Sequence, residues 1–379
     1  MIYLSVHKTD FPGERHWYIG DPDSFNEESM REVADAIGAA RSADRLPAVA
    51  YTFSYAAFPL EKVQRSLRRL RALSLQFELP VIVHLDGVNY WSEYPQLYNF
   101  WDPSRPGYDP ANVRNVERWG WDASCAVKVG WRNWGSQMRV LPAQNLASPA
   151  VRAMHTERLT ALLPILAEWL ETLGSARREL FGGLVLGWEL SPYAQSYFYR
   201  DGNRALEHAC ELDPAGGLES QDCLPLGYAA AQELGIQNCG ELREKTVDTV
   251  CRDFMQFLVD TALRAGIPAD ALITHSFYGG KTAHGGGHSG CASLLEAQKD
   301  GLTPGWSFYG AHLADIRSVL APLAGAKWAA IEFKPWDLSR ELFEEFFAAN
   351  CRYINIFNWE SVRNAPETLE LFRQTLRNT

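Results

Sequence analysis

The chain has 379 residues, 46% hydrophobic and 22% charged, with a formal net charge of −10. That acidity, with no long basic run, argues against a nucleic-acid partner. No apolar stretch reaches the roughly 18 residues of a membrane span, so no membrane partner is expected. The length would suit two or three average domains, yet one α/β barrel with long loops absorbs it, and a single domain over 1–379 is expected.

The chain opens on strand-like sequence, "IYLSVH". It lacks a charged region followed by a long apolar segment, so it reads as a cytoplasmic chain or one trimmed of a leader. Short apolar runs then alternate with amphipathic stretches. "AVAYTFSY" near 48 precedes "LEKVQRSLRRLRALSLQF", and "PVIVHLDG" follows near 80. "RLTALLPILAEWLETL" leads into "GLVLGWEL" near 183, and "TVDTVCRDFMQFLVDTAL" into "ALITHSFY" near 271. "GWSFYG" near 305, "WAAIEF" near 328 and "YINIFNW" near 353 complete the set, the last two separated by "RELFEEFFAAN". Eight strands alternating with helices predict a (β/α)₈ TIM barrel of class α/β. An open doubly wound sheet would more often carry a glycine-rich phosphate turn after its first strand, and this chain has none there.

Two connections exceed ordinary βα loops. One runs from about Val88 to Ser148 after the third strand, the other from about Ser191 to Gly240 after the fourth. Both leave strand C-termini, the face on which barrels build active sites. The first is rich in aromatics, and its run "GWRNWGSQMR" sets Trp131, Arg132, Asn133 and Trp134 side by side. This run is expected either to roof a site, with tryptophans stacking on sugar faces and the polar pair binding hydroxyls, or to pin the loop to the barrel. The glycine-rich loop "YGGKTAHGGGHSG" follows the fifth strand. Of the seven cysteines, Cys210, Cys223 and Cys239 share a polar segment where a local disulfide is conceivable, while Cys251 and Cys351 read as buried thiols.

The run "FGGLVLGWELSPY" raises the chemical question, because an apolar strand finishes on a carboxylate, Glu189. Burying that charge is costly unless it is paired or hydrogen-bonded. The seventh strand ends the same way, on Glu332 in "WAAIEFKPW", whose last residue is Trp336. Ends four and seven lie across one barrel mouth. Glycoside cleavage uses such a pair, one carboxyl to protonate the leaving oxygen and another to attack or to activate water. The competing reading is two unrelated salt bridges. Around the mouth the sequence places Trp188, Tyr309 on strand six, Trp359 on strand eight, His84, Asp86 and Asn89 on strand three, and His275 on strand five. Aromatic faces suit the C–H faces of sugars, and the polar groups suit their hydroxyls.

This arrangement resembles the glycoside hydrolases of clan A, as a pattern of strand ends rather than a long alignable motif. The resemblance implies Glu189 as acid/base, Glu332 as nucleophile, Tyr309 as the nucleophile's hydrogen-bond partner and Trp359 as the floor of the sugar site. It also implies retention of configuration. The chain departs from the clan at two points: Trp188 stands where an asparagine usually precedes the acid/base, and "TFSYAAF" offers no arginine at the end of strand two.

Other readings stay open. Beta-amylase-like barrels place glutamates on the same strands yet invert. A metal-dependent sugar isomerase of the xylose-isomerase kind could gather Glu189, Glu332, Asp86 and His275 around a divalent cation. A non-catalytic carbohydrate-binding barrel would use the aromatics alone. A zinc site from His284 and His288 has little support in a glycine run. No cofactor or metal is expected, and carbohydrate is the expected partner.

Overall fold

The computed structural model describes residues 1–8, 21–128, 130–133, 137–190, 196–197, 212–213, 226–236, 240, 242, 244–276, 302–309, 325–334 and 338–378. Eight parallel strands close into a barrel in sequential order. They are Ile2–His7, Arg45–Ser54, Val81–Asp86, Phe181–Leu186, Leu272–Ser276, Thr303–Tyr309, Trp328–Lys334 and Cys351–Ile356. Each coincides with one of the eight runs read from the sequence, so the (β/α)₈ barrel stands.

Period-2 alternation explains the interior. Ala48, Ala50, Ile82, Val185, Ile273, Ala329, Ile331 and Tyr353 pack together inside the barrel. Outward residues of the same strands meet the helices. The helix Leu60–Phe77 buries Val63, Leu67 and Leu70 at helical spacing and stops at Glu78, held in the left-handed conformation (φ 51°). The helix Pro149–Leu173 begins at Ser148, whose hydroxyl accepts from Val151 N, and Arg340–Ala348 begins likewise at Ser339. At the N-terminal end of strand two, buried Arg45 is bidentate to Glu344 at 2.7 and 2.8 Å and also donates to Thr375 O. That end reads as stability, which leaves the C-terminal end for chemistry.

Three sequence expectations shift at strand ends. Strand four stops at Leu186, so Trp188 and Glu189 lie in the following turn. Strand eight stops at Ile356, and Trp359 instead opens the helix Trp359–Arg363. The run "GWRNWGSQMR" is no plain loop. It forms a hairpin, Gly130–Asn133 with Gln137–Val140, flanked antiparallel by Ser196–Tyr197 and Leu212–Asp213 from the second long connection.

The two long connections are also joined elsewhere. Glu117, fully buried, accepts from the backbone N–H groups of Arg118, Gly227, Ala229 and Ala230 at 3.0–3.1 Å. Trp121 donates to Gly240 O at 2.7 Å and packs edge-on against Tyr228, with ring centroids 4.9 Å apart. A carboxylate suits this place because the first N–H groups of the helix Tyr228–Glu233 have no partners within it. Cys251 and Cys351 are buried free thiols, as read from the sequence, and the segment holding Cys210, Cys223 and Cys239 lies outside the described residues. No helix of the described residues is long and apolar enough to cross a membrane.

Candidate active site

The turn after strand four is unusual at two residues. Gly187 has φ +75°, and a Cβ there would stand 3.1 Å from Met255 Cε and 3.3 Å from His275 O. Glu189 has φ +47°, a left-handed conformation that carries strain for a residue with a side chain. Neighbouring strands hold the turn in place. Leu190 N donates to His275 O at 3.3 Å, and Asn89 Nδ2 donates to Trp188 O at 3.4 Å. The Glu189 side chain is only 5% exposed.

Strand seven delivers its carboxylate by a different device. Ala329 and Ile331 point into the barrel, so strict alternation would turn Glu332 outward. A β-bulge intervenes: the register against strand six shifts after Ala330, and Ser307 pairs with Glu332. Phe333 faces the helices, its ring 4.8 Å from that of Phe346. Ile331 and Glu332 therefore both face the interior, which is what a bulge beside an active site accomplishes. Asn355 Nδ2 donates to Ile331 O at 2.8 Å and braces the bulge. Glu332 is 2% exposed. Burial pushes the Tyr353 phenol well above its ordinary pKa, and the Glu332 charge pushes it further.

Three histidines on alternate strands lie in this interior: His7, His84 and His275. The rings of His7 and His84 meet edge-on at 5.0 Å, and those of His84 and His275 at 6.5 Å. Burial drives the pKa of His7 and His275 down to about 3 and that of His84 well below its ordinary value, so all three are neutral. Asn355 Nδ2 donates to His7 Nδ1 at 3.0 Å; the neutral ring then carries its proton on Nε2 and donates to Thr52 Oγ1 at 3.0 Å. Ser5 Oγ donates to Asn355 Oδ1 at 3.0 Å, which fixes the amide's orientation. His84 Nε2 lies 3.2 Å from Tyr353 OH, and His275 Nε2 lies 2.7 Å from Ser307 Oγ. Asp86 Oδ1 accepts from Val88 N at 2.9 Å, so His84 and Asp86 turn to separate partners.

The structure thus gathers Glu189, Glu332, His84, Asp86, Asn89, Trp188 and His275 at the C-terminal ends of strands three, four, five and seven. Trp359 has its side chain buried in the first helical turn after strand eight, and Phe357, directly after the strand, is half-buried with its ring 5.2 Å from that of His7. Phe357 is the aromatic at this end of strand eight. Tyr309 ends strand six, its backbone in register with Lys334. Its side chain, like those of Trp131, Arg132 and Asn133, lies outside the description, as do Trp134, Trp336 and the His284–His288 segment. Sequence reasoning missed His7, Thr52, Ser307, Asn355 and Phe357. The signal was present: in "IYLSVH" the interior positions run Tyr3, Ser5, His7, turning polar toward the C-terminal end, and Tyr353, Asn355 repeat this on strand eight. Among the described residues no group of three or more His, Cys, Asp or Glu is placed to hold a metal ion.

Fold and site define the class: a (β/α)₈ barrel with buried carboxylates at the ends of strands four and seven. No family model matches the chain, and no curated protein matches it. Among solved structures it is similar to GH26A from Muricauda sp. MAR_2010_75, with 9% identity and a TM-score of 0.46 over 93% of this chain and 85% of that one. It is also similar to an old yellow enzyme homologue from Zymomonas mobilis, with 9% identity and a TM-score of 0.44 over 95% and 85% of the two chains. A family 2 AP endonuclease from Brucella melitensis gives 12%, 0.37, 94% and 92% in the same terms. These barrels span different chemistries, so the likeness leaves function to the site.

Proposed function

We propose that this protein is a retaining glycoside hydrolase acting on an oligo- or polysaccharide, with Glu332 as nucleophile and Glu189 as general acid/base. The observation that carries this reading is the strand-seven bulge. It turns Glu332 into the same barrel mouth where a left-handed turn holds Glu189, and neither a packing role nor a surface salt bridge needs that arrangement. In the first step Glu189 protonates the glycosidic oxygen while a Glu332 oxygen attacks the anomeric carbon. The aglycone leaves and a glycosyl ester forms. Glu189, now ionised, takes a proton from water, which attacks the same carbon and releases Glu332.

His84, His275, Asp86, Asn89, Trp188, Phe357 and Trp359 are proposed to bind the sugar, and Tyr309 to hydrogen-bond Glu332. With Nε2 of each engaged by Tyr353 or Ser307, the neutral histidines leave Nδ1 to meet a hydroxyl without adding charge beside the carboxylates. The hairpin residues Trp131, Arg132 and Asn133, with Trp134 and Trp336, are proposed as outer binding positions.

An activated 2-fluoro glycoside is expected to label Glu332, and peptide mapping reads the site of attachment. Retention is read separately from the anomer first released, by proton NMR; initial release of the opposite anomer would replace the nucleophile by a water-activating base. Glu189→Ala is expected to slow substrates with poor leaving groups by about 10³-fold, and dinitrophenyl glycosides, which need little protonation, far less. Equal losses on both would remove the general-acid role.

A further inference from the structure

Behind the turn that follows strand three lies a chain of buried polar groups that the reaction above does not use. Tyr55 follows strand two directly, His155 sits on the helix Pro149–Leu173, and Gln144 precedes that helix. Tyr55 OH lies 2.6 Å from His155 Nδ1, and His155 Nε2 lies 2.8 Å from Gln144 Oε1. Gln144 Nε2 donates to Gly87 O at 2.7 Å. All three side chains are buried.

The direction of every bond follows from the last one. A carbonyl only accepts, so the Gln144 amide must present its NH₂ to Gly87 and its oxygen to His155. His155 therefore donates from Nε2. Burial drives its pKa to about 3, so the ring is neutral and Nδ1 accepts. Tyr55 must then donate to Nδ1. Burial, with the charge of Asp86 adding to it, keeps that phenol protonated.

The chain closes on itself around Gly87. A Cβ at Gly87 would lie 2.2–2.5 Å from atoms of the Tyr55 ring, so the ring packs directly on this residue's backbone. Tyr55 N also donates to Asp86 O at 2.8 Å. The turn thus gripped carries Asp86, whose Oδ1 accepts from Val88 N, and Asn89, whose amide bridges Asp86 Oδ2 and Trp188 O, each at 3.4 Å. Trp188 immediately precedes Glu189.

We propose that Tyr55, His155 and Gln144 are positioning residues, a one-directional hydrogen-bond relay that holds the Asp86–Asn89 turn in register with the Glu189 turn for sugar binding. The proposal rests on the glycoside-hydrolase reading. When the relay slackens, the Glu189 turn keeps its other anchor, Leu190 N on His275 O, so the displacement falls on Asp86 and Asn89 and its signature is in KM.

Tyr55→Phe and Gln144→Met are expected to raise KM for a soluble oligosaccharide about 10-fold, with kcat within about twofold. The double variant should cost little more than either single one, because both break one chain. His155→Gln, which restores a donor and an acceptor, should keep KM near wild type, whereas His155→Phe should not. Independently of activity, ¹⁵N-histidine NMR should show the His155 ring as the neutral Nε2–H tautomer from pH 5 to pH 8, its signal assigned by its loss in His155→Gln. An Nδ1–H or protonated ring, or variants that lower the melting temperature with KM unchanged, would overturn the relay. A wild-type protein without glycosidase turnover but with the Nε2–H tautomer would overturn the hydrolase reading and, with it, the sugar-binding role, while the relay's direction stood.

Discussion

Glu332→Gln is expected to lower kcat by about 10⁴-fold, a rise of about 5 kcal/mol in the barrier, on a substrate the wild type turns over. The amide fills the same volume but has no charge with which to attack an anomeric carbon. Glu332 is nearly fully buried at the bulge, and the amide fills its place without a change of size. The variant should therefore keep its fold, read as a cooperative melt near the wild-type temperature. Loss of activity with a retained fold separates a functional carboxylate from a structural one. Near-normal turnover in the folded variant would end the nucleophile assignment.

The second large effect is expected at Glu117. Burial raises this carboxyl from 4.5 to about 7, against the lowering effect of its four backbone N–H donors. A carboxyl that holds its proton more tightly in the folded chain than in the unfolded one stabilises the fold fully below about pH 4.5. That contribution is lost as the pH rises through about 7. The whole span is on the order of 3 kcal/mol. The neighbouring Cys251 thiol, pushed up by burial and by the charges of Asp248 and Glu117, stays neutral throughout this window. Glu117→Gln removes the titration. Its melting temperature should change less between pH 5 and pH 8 than that of the wild type, whatever its absolute value. Parallel curves for the two proteins would show that Glu117 does not titrate there.

The barrel was legible because its information is local. Runs such as "PVIVHLDG" carry strand character within eight residues, and helices such as "LEKVQRSLRRLRALSLQF" carry their own period. The two strand-end glutamates were legible for the same reason. How they reach the mouth was not, since strict alternation in "WAAIEF" places Glu332 outside, and only pairing with strands six and eight reveals the bulge. The end of strand eight was read too late because Ile356 and the N-cap at Asn358 fall within three residues, too close for composition to separate. The relay and the Glu117 contacts were out of reach for another reason. Tyr55 meets His155 across 100 positions, and Glu117 meets Gly227 across 110. No window along the chain contains both members of either pair.

The bulge also divides strand seven into two phases. Up to Ile331 the odd-numbered residues face the barrel axis; from Glu332 onward the even-numbered ones do. Both faces of the strand are buried, so the phase change shows in what the side chains meet: Phe333 packs on a helix ring, while Ile331 and Glu332 are two consecutive inward positions where a regular strand alternates. Deleting Ile331 would restore plain alternation, with Glu332 following Ala330, still opposite Ser307 and still facing the axis. The extra residue therefore adds a second inward side chain, Ile331, directly beneath the carboxylate.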